Sequence, residues 1–322
     1  MENQQQAKVS QNQADGWEKE VLEKLAFSAI EEQKKARRWG IFFKCLTFAY
    51  LSAALALAVF PRFDTDMASN KPHVAVVDVL GMIAEGEAAG ADAIIDGLRE
   101  AIEDKNTQGV ILNINSPGGS AVQAAYVYDE IRRQKAAHPD LPIVAVVSDM
   151  CASGGYYIAA ASDKIYVSPA SIIGSIGVIM NGFGFSSVLE KLGVERRLLT
   201  AGEHKALMDP FSPMKEPETK HMQSLLNQVH QQFIGAVKQA RGDRLKETPE
   251  MFSGLVWTGE EGVKLGLADG FGSIDSVARQ EMGIEDTLNF TPQERLIDRL
   301  AGKFGASFGH AIGTMIHSSH FQ

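Results

Sequence analysis

From residue 74 onward the chain alternates between two kinds of segment. Short, mostly apolar runs rich in β-branched residues occur at 74–79, 110–114, 143–147 and 165–167, broken only by Asp78 and Asn113. The run 143–147 is apolar at every position, not every second one, as a strand covered on both faces is. Between these runs, apolar residues recur at helical spacing near 91–103 and 121–133, and again just after Ser153. Farther on, Met222, Leu225, Leu226, Val229, Phe233 and Val237 mark one face of a helix over 217–241, with core or subunit packing as its default role. Strand and helix in regular alternation predict an α/β domain with a largely parallel sheet.

The N-terminal pattern is different. Residues 45–60 carry no charge, and Lys44 can snorkel, so 41–60 approaches the roughly 20 residues a bilayer needs and predicts one transmembrane helix. Lys34, Lys35, Arg37 and Arg38 precede it, against Arg62 and Lys71 beyond, which predicts a cytoplasmic N-terminus and an extracytoplasmic remainder. Ala56-Leu57-Ala58 also fits a signal-peptide cleavage site, but the long stretch before the apolar core favours a retained anchor. The expected organisation is a cytoplasmic segment 1–40, Gln/Asn-rich and disordered over 1–16, then an anchor 41–60, a tether 61–72, a domain 73–283 and a tail 284–322. Within 17–38, Val21, Leu22, Leu25 and Ile30 lie on one face of a charged helix; in the tail, Leu296, Leu300, Phe304, Phe308 and Ile312 recur every four residues among glycines that weaken a helix.

Composition narrows the chemistry. With 322 residues, 45% hydrophobic and 22% charged, the chain can bury a core of one or two domains. A net charge of −9 without a clustered basic face argues against nucleic acid as a partner. Only Cys45 and Cys151 are present, too far apart for an expected disulfide, and Cys151 is read as packing. No Cys/His spacing suits a metal, so no metal or cofactor is expected.

Ser153 stands out. It follows the strand run 143–147 and precedes Gly154, Gly155 and a helix, where a hydroxyl meets free backbone N–H groups at the positive end of the dipole. The same position suits a plain N-cap, since serine is a preferred capping residue. A second strand ends in Asn115-Ser116-Pro117-Gly118-Gly119, whose exposed amides can form an anion-binding nest. A third, strand-like stretch at 196–199 leads to Gly202-Glu203-His204-Lys205. A serine needs a base to take its proton; a lysine can serve only when neutral, its reference pKa of about 10.4 lowered by burial. The apolar neighbours Ala206, Leu207 and Met208 suit such desolvation. His204 is the local competitor as base, histidine being the residue type most often used for proton transfer near neutral pH.

These segments, with Ala152-Ser153-Gly154-Gly155-Tyr156-Tyr157-Ile158-Ala159 and Gly174-Ser175-Ile176-Gly177, resemble the motifs of the signal peptide peptidase A family, the serine/lysine peptidases of family S49 in a short single-repeat form. The resemblance runs from about His73 to Met282. It implies a Clp-protease/crotonase-like spiral of ββα units after the one transmembrane helix. It implies Ser153 as nucleophile, Lys205 as general base and Ser175 as the residue that orients the lysine amine. Gly154 with Gly118 or Gly119 would form the oxyanion hole. It implies peptide substrates such as signal-peptide remnants, an inner-membrane location with the catalytic domain outside, and a homo-oligomeric ring in which neighbouring subunits share each site. Two readings stand against it. One is a crotonase-like acyl-thioester enzyme without a covalent serine, and the other is an inactive membrane scaffold of the same fold.

Overall fold

The apolar runs become strands, and most extend past the run itself. The computed structural model describes residues 32–53 and 71–292, together with Phe27 and Leu55. Residues 1–26, 28–31, 54, 56–70 and 293–322 lie outside the described residues, and with them the segment expected to be disordered, most of the expected tether and the C-terminal periodicity. Two compact units are distinguished, one comprising Met1–Phe63 with Glu294–Gln322 and the other Asp64–Gln293.

In the first unit, helix α1 spans 32–53. Trp39 stacks on Phe43 and meets Phe42 edge-on, both at 5.7 Å between ring centroids. Among the described residues no helix is long and apolar enough to cross a membrane. The distal end of the expected span, 56–60, lies outside them.

The second unit runs β1 (His73–Ile83), α2 (Ala91–Glu103), β2 (Thr107–Gly119), α3 (Ala121–Ala137), β3 (Ile143–Ala152), α4 (Gly154–Ala160), β4 (Ile165–Val167), β5 (Ile172–Gly174), α5 (Ser186–Lys191), α6 (Glu216–Arg241), β6 (Val256–Thr258), α7 (Gly259–Lys264), β7 (Gly270–Phe271), α8 (Ile274–Val277) and β8 (Thr287–Asn289). The sheet order is β6-β5-β3-β2-β1-β8, with β4 paired to β3 and β7. Every ladder is parallel except β5 with β6. A parallel sheet flanked by helices agrees with the predicted class. The sheet also reaches past residue 283, because β8 pairs with β1 where the pattern placed a tail.

The continuous apolar runs have a direct cause. On one face Ala75, Val77, Val79, Val110, Leu112, Ile143 and Ala145 pack under α2, α3, α4 and α6. On the other, Val74, Val76, Ile111, Val144 and Val146 pack against Val277 and Ala278. Burial on alternate faces makes every position apolar. Beyond that second cover the strands turn polar. Asn113 and Asn289 donate to Asp78, both at 2.7 Å, and Ser148 donates to Asn113.

Two charge clusters, one joining α2 to α3 and one joining α6 to the sheet, hold the helices in place. Glu130 of α3 accepts from Arg99 of α2 at 2.8 Å, from Arg133 at 2.7 and 2.8 Å, and from Gln134 at 2.9 Å. Arg241, fully buried at the end of α6, donates to both oxygens of Asp269 and to the carbonyl of Gly266. Asp269 in turn accepts from the N–H of Ile165, so α6 is anchored to the start of β4.

Candidate active site

The parallel register of β3 with β5 brings two serines together. Ala152 pairs with Gly174, so Ser153 and Ser175 are the next residues at the ends of adjacent strands. Both have φ +52°, a conformation that costs a side-chain-bearing residue about 1–3 kcal/mol and is found mostly where function demands it. The Ser153 N–H donates to the Gly174 carbonyl at 2.8 Å, and the Ser175 N–H donates to the Leu255 carbonyl at 2.8 Å. Each serine is therefore fixed by its backbone, with the hydroxyl left to other partners. Ser153 occupies the N-cap position of α4 without any side-chain cap bond, so the plain capping alternative has no hydrogen bond to support it.

The glycines pack against this turn. A Cβ on Gly118 would lie 2.7 Å from the Ser153 Cβ, and one on Gly154 would lie 3.3 Å from the Gly119 nitrogen. Gly118 also has φ +99°, so both its space and its backbone exclude a side chain. Its N–H is taken by Ser116 Oγ at 3.1 Å, while Ser116 itself donates to the Gly81 carbonyl at 2.6 Å. The first intrahelical bond of α4 runs from the Tyr157 N–H to the Ser153 carbonyl, so the Gly154 amide belongs to the orphan donors of the first turn.

Lys205 is elsewhere. It sits in a series of turns closed by Lys205 N–H to Gly202 O, Leu207 N–H to His204 O and Asp209 N–H to Ala206 O. Its side chain is exposed and, among the described residues, makes no hydrogen bond or ion pair. Among the described residues no hydrogen bond or ion pair within one chain joins it to Ser153 or Ser175. The desolvation expected from its neighbours is also lacking, since Ala206 and Leu207 are half-buried and Met208 is exposed. The stretch at 196–199 is not a strand, because it has no ladder partner and Leu199 is 98% exposed. Around it the chain projects an apolar surface that includes Ile179 (86% exposed), Phe183 (81%), Leu192 (70%) and Met214 (68%). Helix α5, in the same stretch, has no buried residue.

Three further residues shape the site, and none was singled out for chemistry from the sequence. His230 Nε2 lies 3.1 Å from the carbonyl of Ile176, directly after Ser175, and the residue is half-buried. The Trp257 indole covers Gly174, where an added Cβ would meet its ring at 2.9 Å. Glu218 is enclosed beside His204 and Lys215. None carries a local sequence signature, and only the fold reveals what each touches. Of the two carboxylates near Ser153 in sequence, Asp163 is remote, bonding the N–H of Ile143 at the opposite end of β3. Asp149 accepts from Asn115. Cys151 is fully buried and burial pushes its thiol well up, which removes it as a nucleophile at neutral pH. Among the described residues no group of three or more His, Cys, Asp or Glu could hold a metal ion.

Comparison with known proteins identifies the family. Residues 135–287 match Peptidase family S49 and residues 78–173 match Clp protease. The chain is 42% identical over 213 residues to a Na(+)/H(+) antiporter NhaA of Brucella melitensis, covering 66% of this chain but 29% of that protein. It is 33% identical to a protein of Enterococcus faecium provisionally named signal peptide peptidase SppA, covering 66% of this chain and 65% of the relative. A Synechocystis protein provisionally named a protease is 30% identical, over 66% of this chain and 74% of its own length. The chain thus spans less than a third of the antiporter relative and just under two thirds of the Enterococcus one. Because the Synechocystis match covers most of that relative, and the S49 match encloses Ser153, Ser175 and Lys205, this chain belongs to peptidase family S49.

Proposed function

We propose that this chain is a serine endopeptidase in which Ser153 is the nucleophile and Lys205 the general base. The observation that carries the reading is the Ser153 backbone, held at φ +52° and ψ −121° between a strand end and a helix start, against Gly118. A neutral Lys205 amine takes the Ser153 proton as Oγ attacks the scissile carbonyl. The oxyanion that forms is received by the Gly154 amide and by Gly119, the Gly118 N–H being committed to Ser116. The protonated lysine then delivers its proton to the leaving amine. Water, deprotonated by the same lysine, hydrolyses the acyl ester. Ser175, at the adjacent strand end, would accept a hydrogen bond from the lysine ammonium and donate one to the neutral amine.

The exposed Lys205 fits a site completed between copies. An amine in water keeps its ordinary basicity; an apolar enclosure lowers it. The apolar surface around Lys205 is of the kind a second copy buries, and obligate contacts are apolar in this way. The reading is therefore a homo-oligomer, of ring type in this family, with Lys205 of one subunit meeting Ser153 of the next.

Signal-peptide remnants and other small hydrophobic peptides are the proposed substrates, in keeping with the name carried by the Enterococcus relative. An anchor over 41–60 with a cytoplasmic N-terminus and an extracytoplasmic catalytic domain is the proposed topology, supported by the basic run ahead of an uncharged apolar segment. A fluorophosphonate probe tests the chemistry. Mass spectrometry should locate the adduct on Ser153 in the wild-type chain and find none in Lys205→Ala; a labelled Ser153 undiminished by Lys205→Ala would remove the lysine from the mechanism.

A further inference from the structure

Glu218 lies in the first turn of α6, and only 9% of its side chain reaches solvent. Its Oε1 lies 3.4 Å from His204 Nδ1 and 3.3 Å from Lys215 Nζ, while those two side chains are 60% and 65% exposed. As a stabilising device this is a poor arrangement, since an enclosed carboxylate is held by partners that stand mostly in water. Its position is more telling. His204 is joined directly to Lys205, so the bond from the imidazole fixes the peptide from which the lysine departs.

A second enclosed carboxylate secures the other side of the lysine turn. Asp209 meets Arg196 Nε at 2.9 Å and accepts from Ser212 Oγ at 2.6 Å. Between the two carboxylates is a cavity of about 80 Å³ lined by Leu198, Ala206, Met208 and Met214 together with Asp209 and Glu218. Met208, at φ +60°, carries the strain of closing the turn. The backbone is thus tied down at His204 and at Asp209, and the one polar side chain between them, Lys205, makes no hydrogen bond or ion pair among the described residues.

We propose that Glu218 is a positioning residue: by accepting the His204 Nδ1 proton in a hydrogen bond it fixes the turn so that Lys205 is presented outward in one direction. The inference rests on Lys205 being the base of the proposed dyad. Burial alone would raise the Glu218 carboxyl, and the bonds from His204 and Lys215 outweigh it, so that the group stays below its ordinary range and charged at neutral pH. A lysine with four rotatable bonds must enter a neighbouring pocket without a long search, and a misplacement of about 1 Å can cost about a hundredfold in rate.

Steady-state hydrolysis of a hydrophobic peptide by the full-length chain in detergent tests this, using Glu218→Gln, His204→Ala, the double variant and Lys205→Ala. Glu218→Gln should lower kcat by about tenfold or more with KM within about twofold, because positioning acts on the chemical step. His204→Ala should show a loss of the same kind, and the double variant should be no worse than the weaker single, since both interrupt one contact. Unchanged kcat in Glu218→Gln beside an inactive Lys205→Ala would overturn the positioning role and leave the dyad standing. Multiplying losses in the double variant would overturn the route through His204. Full activity in Lys205→Ala would overturn dyad and inference together. Should Glu218→Gln fail to fold, the mostly exposed His204→Ala carries the same kcat-against-KM readout.

Discussion

At the scale of single residues, the account depends on a serine forced into a conformation that serine avoids. Ser153→Gly should abolish hydrolysis yet raise stability by about 1 kcal/mol, because glycine takes φ +52° freely and part of that gain is offset by its greater chain entropy. Thermal melting checks the second half; a Ser153→Gly chain less stable than Ser153→Ala would show that the turn is not strained. Lys205→Ala should be as inactive as Ser153→Ala, nucleophile and base acting as a unit, whereas His204→Ala should keep measurable activity. Much of this was legible beforehand. Ser153, Gly118, Gly119 and Gly154 lie in short motifs whose chemistry is local, and one turn and one helix start bring them together. Glu218 and His230 were not legible, because each acts across the fold on a residue distant in sequence and carries no local signature.

Among the elements, the helices over the sheet depend on buried carboxylates whose charge is conditional on pH. The Glu130 carboxyl is held down to about 2, chiefly by the bonds from Arg133, against the rise that burial would bring, and then by Arg99 and Gln134. Its folded value lies below its ordinary one of 4.5. The stability it contributes is therefore complete above about 4.5 and is lost as pH falls from there toward 2. Discounted for two guanidinium partners that reach solvent, that contribution is on the order of 2 kcal/mol. Urea melts of the wild type and Glu130→Gln should converge as pH falls through this window and diverge above it; a constant gap between them would place the contribution elsewhere. The elements themselves followed the hydrophobic pattern closely from β1 to β4, where alternate-face burial writes continuous runs. The pattern failed over 176–215. There Leu198 and Leu199 look like strand residues because they are apolar, yet Leu199 is 98% exposed and Leu198 only lines a surface cavity.

For the whole molecule, the proposed second copy would explain both that exposed stretch and the exposed Lys205. Apolar residues that burial within one chain does not explain cannot be assigned from sequence alone to core or to contact, which is why 196–199 was misread as a strand. Membrane placement belongs to this scale as well. Protease added outside intact spheroplasts should reach the domain after residue 60 and spare 1–38; digestion of the N-terminal segment from outside would reverse the proposed topology. The most direct test of the central claim, that Ser153 and Lys205 form one site across two copies, is complementation. Differently tagged Ser153→Ala and Lys205→Ala chains, co-expressed and purified through both tags, should recover peptide hydrolysis, because some contacts in a mixed assembly pair an intact Ser153 with an intact Lys205. Verified mixed assemblies as inactive as either variant alone would contradict the shared site.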